Sequence, residues 1–132
     1  MKVKKAGSEP SSLASADQFT GRVRRDALIS AELPGRVRTG LVTFEAGART
    51  AWHTHPAGQI LIIVSGRGWR CRPRRGTPRG APGDSVWIPA GQRHWHGATM
   101  TTAMTHIAVT ESVQGDAVTW MTHVTDEQYD PT

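Results

Sequence analysis

The sequence predicts an all-β fold, a sandwich or barrel of short strands, and three observations predict it. Helical periodicity is scarce along the chain. Fourteen glycines and eight prolines, one residue in six of the 132, punctuate the chain in clusters a dozen or so residues apart, the rhythm of strands joined by turns. Between them lie β-favouring runs that alternate apolar and polar with the two-residue period of a half-buried strand.

In chain order, Val3 stands among Lys2, Lys4 and Lys5 and reads as a charged edge strand, where lysine discourages stray pairing. Ser8–Asp17 reads as a polar connection. Strands are expected over Val37–Glu45, Gln59–Ser65, Ser85–Pro89, Ala103–Glu111 and Val118–Val124. In Ala103–Glu111, Thr105, Ile107 and Val109 share one face, and Met104, His106, Ala108 and Thr110 share the other. Only Thr125–Tyr129 promises a helix, a short C-terminal turn with Thr125 as N-cap and Asp126 and Glu127 in the first turn. Neither an internal repeat nor an interdomain linker is visible, so residues 1–132 are expected to form one domain.

Composition limits the function classes. The formal charge is +5, but six of the thirteen arginines fall between Arg67 and Arg79, and removing them leaves −1. The basicity is a local patch on a Gly/Pro-rich hairpin at 67–79. It reads as a solvated hairpin, and an anion or nucleic-acid contact has no helix-turn-helix, finger or stacking motif to support it. One cysteine, Cys71, excludes an intramolecular disulfide and a cysteine-built zinc site. The start is basic, then small and polar without an apolar signal core, and Ile60–Val64 is far shorter than a membrane span of about 20 residues. A soluble cytoplasmic protein with no nucleic-acid or membrane partner is the expectation.

The six histidines carry more information. His53 and His55 are an i, i+2 pair that faces one side of a strand, and Gln59 keeps that parity if the strand continues without a bulge. His94 and His96 form a second such pair, and His106 adds an inward group from a third strand. So many imidazoles inside one small barrel are costly to bury unless something binds them, and a divalent transition metal is the simplest partner.

The segment Gly47-x5-His53-x-His55-x3-Gln59-x6-Gly66 resembles the first cupin motif at every spacing, and Gly83-x5-Pro89-x-Gly91-x2-His94 resembles the second. The two regions, 47–66 and 83–98, flank the arginine-rich hairpin. Resemblance to the cupins implies a double-stranded β-helix, or jelly-roll, barrel with one metal in its mouth. The family's four ligands map onto His53, His55, Gln59 and His94. Gln59 replaces the usual glutamate and Ala98 the asparagine that often closes motif two. A glutamine keeps an oxygen donor but removes a negative charge, so a bound divalent ion retains its full charge, which favours Lewis-acid work.

Ala48–His55, Arg93–Gly97, Thr101–His106 and Trp120–Tyr129 further resemble small bacterial cupins that include manganese-dependent, R-selective hydroxynitrile lyases. That likeness implies reversible cleavage of an aromatic cyanohydrin to an aldehyde and hydrogen cyanide, with Mn(II) as the ion. The same donors also accept Fe(II), Ni(II) or Zn(II). His106 is expected to act as acid–base group, and His96 to hydrogen-bond the substrate or orient a ligand. Gly40, Val42 and Thr110 are small inward positions that leave room for an aryl ring. Trp52 and Trp95 have the opposite parity and are expected to pack, while His123 is structural or at the surface. Two other readings are a cupin dioxygenase or oxidoreductase and a polyanion-binding protein. Small cupins commonly pair through edge strands, so a dimer or tetramer is expected, with the N-terminal strand as a candidate contact.

Overall fold

The computed structural model describes residues 1–71 and 79–130; the tip of the arginine-rich hairpin, 72–78, lies outside the described residues. Thirteen strands are found among those residues. They are β1 (Ser12–Leu13), β2 (Phe19–Thr20), β3 (Val23–Ala27), β4 (Val37–Phe44), β5 (Arg49–Thr50), β6 (His53–Thr54) and β7 (Gln59–Gly66). There follow β8 (Gly68–Cys71), β9 (Arg79–Gly80), β10 (Ser85–Ile88), β11 (Trp95–Ala98), β12 (Met104–Glu111) and β13 (Thr119–Trp120), and then the helix α1 (Asp126–Tyr129). One sheet runs β1-β3-β4-β12-β7-β10, a second β2-β5-β11-β8-β9, and β13 pairs with β6. All pairings are antiparallel. This is the double-sheet barrel that the turn rhythm predicts.

The five expected strands are present, each within one residue of its expected ends except the last, where only Thr119–Trp120 pairs. The flanks of the hairpin also pair, Gly68 with Gly80 and Trp69 with Arg79. Val3, however, is not in a strand. Lys2 and Lys4 form ion pairs with Glu32 and Glu9, and Val3 is exposed with nothing apolar to cover it. The sheet edge is instead β1, inside the stretch expected to be a polar connection. Leu13 alternates too briefly to signal a strand, and its pairing with β3 creates it.

Two apolar layers flank the second sheet. Phe19, Val23, Val42, Phe44, Ala48, Ile63, Ala98 and Met104 fill the space between the sheets. Trp52, Trp95, Val124 and Tyr129 form a separate cluster, so the two tryptophans pack, as their parity requires. Strand β11 is therefore covered on both faces. Gly97 lies so close to β5 that a Cβ there would stand 2.4 Å from the Ala48 carbonyl oxygen. Helix α1 caps as the sequence reads: Thr125 Oγ1 accepts from Gln128 N, and the Gln128 side chain accepts from Thr125 N.

Candidate metal centre

Two distant segments meet through one backbone bridge. His53 N donates to His94 O at 2.9 Å, and His94 N donates to His53 O at 3.0 Å. This sets the rings of His53 and His94 4.2 Å apart, with His55 5.0 Å from His53 and His96 5.1 Å from His53. Gln59 reaches the same place by a different route from the one its parity suggests. The strand does not continue from His55; Pro56, Ala57 and Gly58 turn the chain, with Gly58 at φ +79°, and β7 begins at Gln59. His106 arrives on β12. Beside it β7 carries one extra residue: His106 pairs with Ile63 and Thr105 with Ser65, leaving Val64 bulged. Gln59, Leu61 and Ile63, which precede the bulge, face inward by ordinary strand alternation.

Each ring of the His53, His55 and His94 set is held in the same way. Nδ1 of His53 donates to Ala51 O at 2.9 Å, Nδ1 of His55 to Ala117 O at 2.6 Å, and Nδ1 of His94 to Gln92 O at 2.9 Å. A carbonyl accepts only from N–H, so each bond fixes the tautomer with its lone pair on Nε2. The Nε2 of His94 then meets Gln59 Oε1 at 3.2 Å, lone pair against lone pair. The Nε2 of His55 is buried with no hydrogen-bond partner among the described residues. Donor atoms arranged in this way fit a cation, which would relieve both conditions at once.

His96 and His106 are held differently. His106 Nε2 and His96 Nδ1 share a hydrogen bond of 3.0 Å, while His96 Nε2 and His106 Nδ1 are buried with no hydrogen-bond partner among the described residues. Ring nitrogens of His53, His94 and His96 lie within 4.8 Å of one another, so His96 also stands within reach of an ion. That proximity was not visible in the sequence, because it depends on where β11 crosses β5. Burial pushes all five imidazoles below their ordinary value, His94 and His106 to about 4. For His53 and His96 the neighbouring imidazoles add to the effect.

A cavity of about 440 Å³ opens over this cluster, lined by His53, His55, Gln59, His96 and His106. Gly40, Val42 and Thr110 also line it, and a Cβ built on Gly40 meets nothing within 4 Å. The sequence reading missed Thr50, whose Oγ1 accepts from His96 N, and Trp120, whose ring lies 4.8 Å from that of His53. Thr50 stands three residues before His53, at the opposite parity to the histidine pair, and only the β5–β11 pairing brings it in. Trp120 is placed by the register Trp120–His53. His123 is exposed, with Nδ1 3.4 Å from Thr20 Oγ1, and takes no part in the cluster.

The cupin domain model matches residues 40–110. A curated relative from Granulicella tundricola, named (R)-mandelonitrile lyase, is 54% identical over 98% of this chain and 98% of its own length. Among solved structures, a cupin-like protein from Thermotoga maritima covers 99% of this chain and 96% of its own at 34% identity and a TM-score of 0.83. A polyketide cyclase from Streptomyces resistomycificus shares the fold at 16% identity and a TM-score of 0.74, over 98% of this chain and 91% of its own. With the domain match spanning both histidine pairs and the relatives spanning nearly the whole chain, the protein belongs to the cupin family.

Proposed function

We infer that the protein is a metal-dependent hydroxynitrile lyase that reversibly cleaves aromatic cyanohydrins of the mandelonitrile type. The observation that carries this reading is a cavity walled by neutral, buried histidines in a chain 54% identical to a mandelonitrile lyase. Ligand roles go to His53, His55, Gln59 and His94, because the three imidazoles share one anchoring pattern that leaves Nε2 as donor. His96 is left out of that set because its Nδ1 is engaged with His106 instead of a carbonyl. Mn(II) is the ion we assign, one per chain, and Fe(II), Ni(II) or Zn(II) suit the same donors. When bound, such an ion supplies Lewis acidity that lowers the pKa of a substrate hydroxyl.

The protein's own groups handle the protons. Breaking the bond between the carbinol carbon and the nitrile carbon needs the hydroxyl proton removed and leaves its electron pair on cyanide. His96 Nε2 takes the hydroxyl proton, and its Nδ1 proton passes to His106 Nε2, so His106 holds the charge. Held at about 4, the His106 imidazolium is a strong acid and returns its proton by the same path to cyanide. The products are the aldehyde and hydrogen cyanide, and the histidine pair ends as it began. Gly40, Val42 and Thr110 leave room for the aryl ring.

Manganese-loaded protein should release cyanide from mandelonitrile under argon, and should contain about one manganese per chain that His94→Ala loses. Cyanide release without any bound metal, or none with the metal bound, would overturn the reading. We further assign a single domain over 1–132 and self-association of the chain as a dimer or tetramer.

A further inference from the structure

Two arginines stand on the wall of the histidine cavity. Arg25 pairs with Val42, which pairs with His106, so all three lie on one rung across β3, β4 and β12. Arg38 pairs with Thr110 and shares the inward face of β4 with Gly40 and Val42. Both arginines line the cavity that His53, His55, Gln59, His96 and His106 line. Four residues separate Val42 from Arg38, about 13 Å of strand. Side chains as long as arginine can close that gap from its two ends.

Neither guanidinium is neutralised. Among the described residues no carboxylate lies within 4.0 Å of either. Arg25 stands over the Phe19 ring, 5.5 Å from its centroid, and Arg38 donates from Nη2 to Gly115 O at 3.2 Å. Of the two acids beside the cavity, Glu9 is paired with Lys4, and Asp26, which keeps its charge while accepting from Ser11 Oγ, stands on the rung of Leu41, on the opposite face of β3 from Arg25. Deeper in the cavity the histidines are neutral and Gln59 carries no charge, so nothing there offsets the two cations.

We propose that Arg25 and Arg38 bind an oxyanion on the substrate, and that the natural substrate is an aldehyde or cyanohydrin carrying a carboxylate or a phosphate. This deepens the lyase reading and rests on it for the reacting end of the molecule. Guanidinium forks suit both oxyanions, and their bonds to a charged acceptor are the strong kind. The remote anion would fix the ring across the cavity while the carbinol carbon faces the histidines.

Calorimetry on manganese-loaded protein tests this with three probes: 4-formylbenzoate, 4-formylphenyl phosphate and the neutral 4-methylbenzaldehyde. One of the anions should bind at least about tenfold tighter than the neutral probe. That preference should shrink with added salt and collapse in the R25Q/R38Q double variant, and partly in each single variant. Equal binding of all three by the wild type would overturn the proposal. So would a preference that survives in the double variant, which would put the anion on the histidine cluster instead. Cyanide release from mandelonitrile is measured in parallel on the wild type. Its absence counts against the lyase reading and leaves the binding preference to be read on its own.

Discussion

His96 and His106 illustrate what single residues contribute, because their joint arrangement differs from that of the other three histidines. A backbone carbonyl fixes each of His53, His55 and His94, whereas His96 and His106 fix one another through a bond of 3.0 Å. Phe44 packs against both rings, at 5.8 and 5.4 Å between centroids. His106→Ala should therefore keep about one metal per chain and lose turnover by about a hundredfold or more, the usual effect of removing an acid–base group. Metal analysis and mandelonitrile kinetics on the same sample check it; full activity would move the proton-transfer role away from His106. His53, His55, Gln59 and His94 could be grouped from the spacing of the two motifs, but strand parity did not carry Gln59, because the chain turns at Pro56, Ala57 and Gly58. Arg25 was not, since its run Val-Arg-Arg-Asp-Ala offers a cation to either face and only the register with Val42 shows which.

At the scale of elements, the second sheet is closed by the C-terminal segment. Arg49, buried on β5, donates to Val124 O at 2.9 Å and to Asp126 Oδ1 at 2.7 Å, and lies 4.6 Å from the centre of the Tyr129 ring. Tyr129 OH in turn donates to Ala98 O at 2.6 Å. The outer face of β7 and β10 has no such cover among the described residues. Ile60 and Trp87 pair in register and are 40% and 58% exposed, and Val64 at the bulge is 43% exposed. The neighbouring outward positions Ile62, Ile107, Val109 and Leu41 are also uncharged and apolar. An exposed apolar face of this kind suits a contact, and a second copy would meet no charge repulsion on it. This face, rather than the N-terminal segment, is where we place self-association. Sedimentation velocity should find a dimer or larger species that Trp87→Glu shifts towards monomer; a monomeric wild type, or a variant sedimenting unchanged, refutes it. Helix α1 was legible from its cap. Strands β1, β3 and β11 were not, because runs this short or this charged acquire strand geometry only from their neighbours.

For the whole molecule, five buried imidazoles couple stability to pH. In the metal-free chain each has a folded pKa below its unfolded value near 6.5, so below that pH the unfolded chain binds more protons. Stability should be level above about pH 6.5 and fall as pH drops, with each histidine contributing up to about 1.4 kcal/mol per pH unit until its folded pKa is reached. For His94 and His106 that limit is about 4. Urea midpoints of the metal-stripped protein between pH 8 and 4.5 measure this, and a midpoint that does not move would contradict the burial argument. No helix among the described residues is long and apolar enough to cross a membrane. By itself the sequence determined the all-β class, the histidine pairs and the C-terminal cap. Those features rest on local spacing, which a strand or a helix end converts directly into direction. Only the tertiary structure decided that His96 bonds to His106, that Gln59 enters by a turn, and that two arginines share the cavity wall. Each of these depends on which strands pair and in what register, and that is set by contacts between residues far apart in the chain.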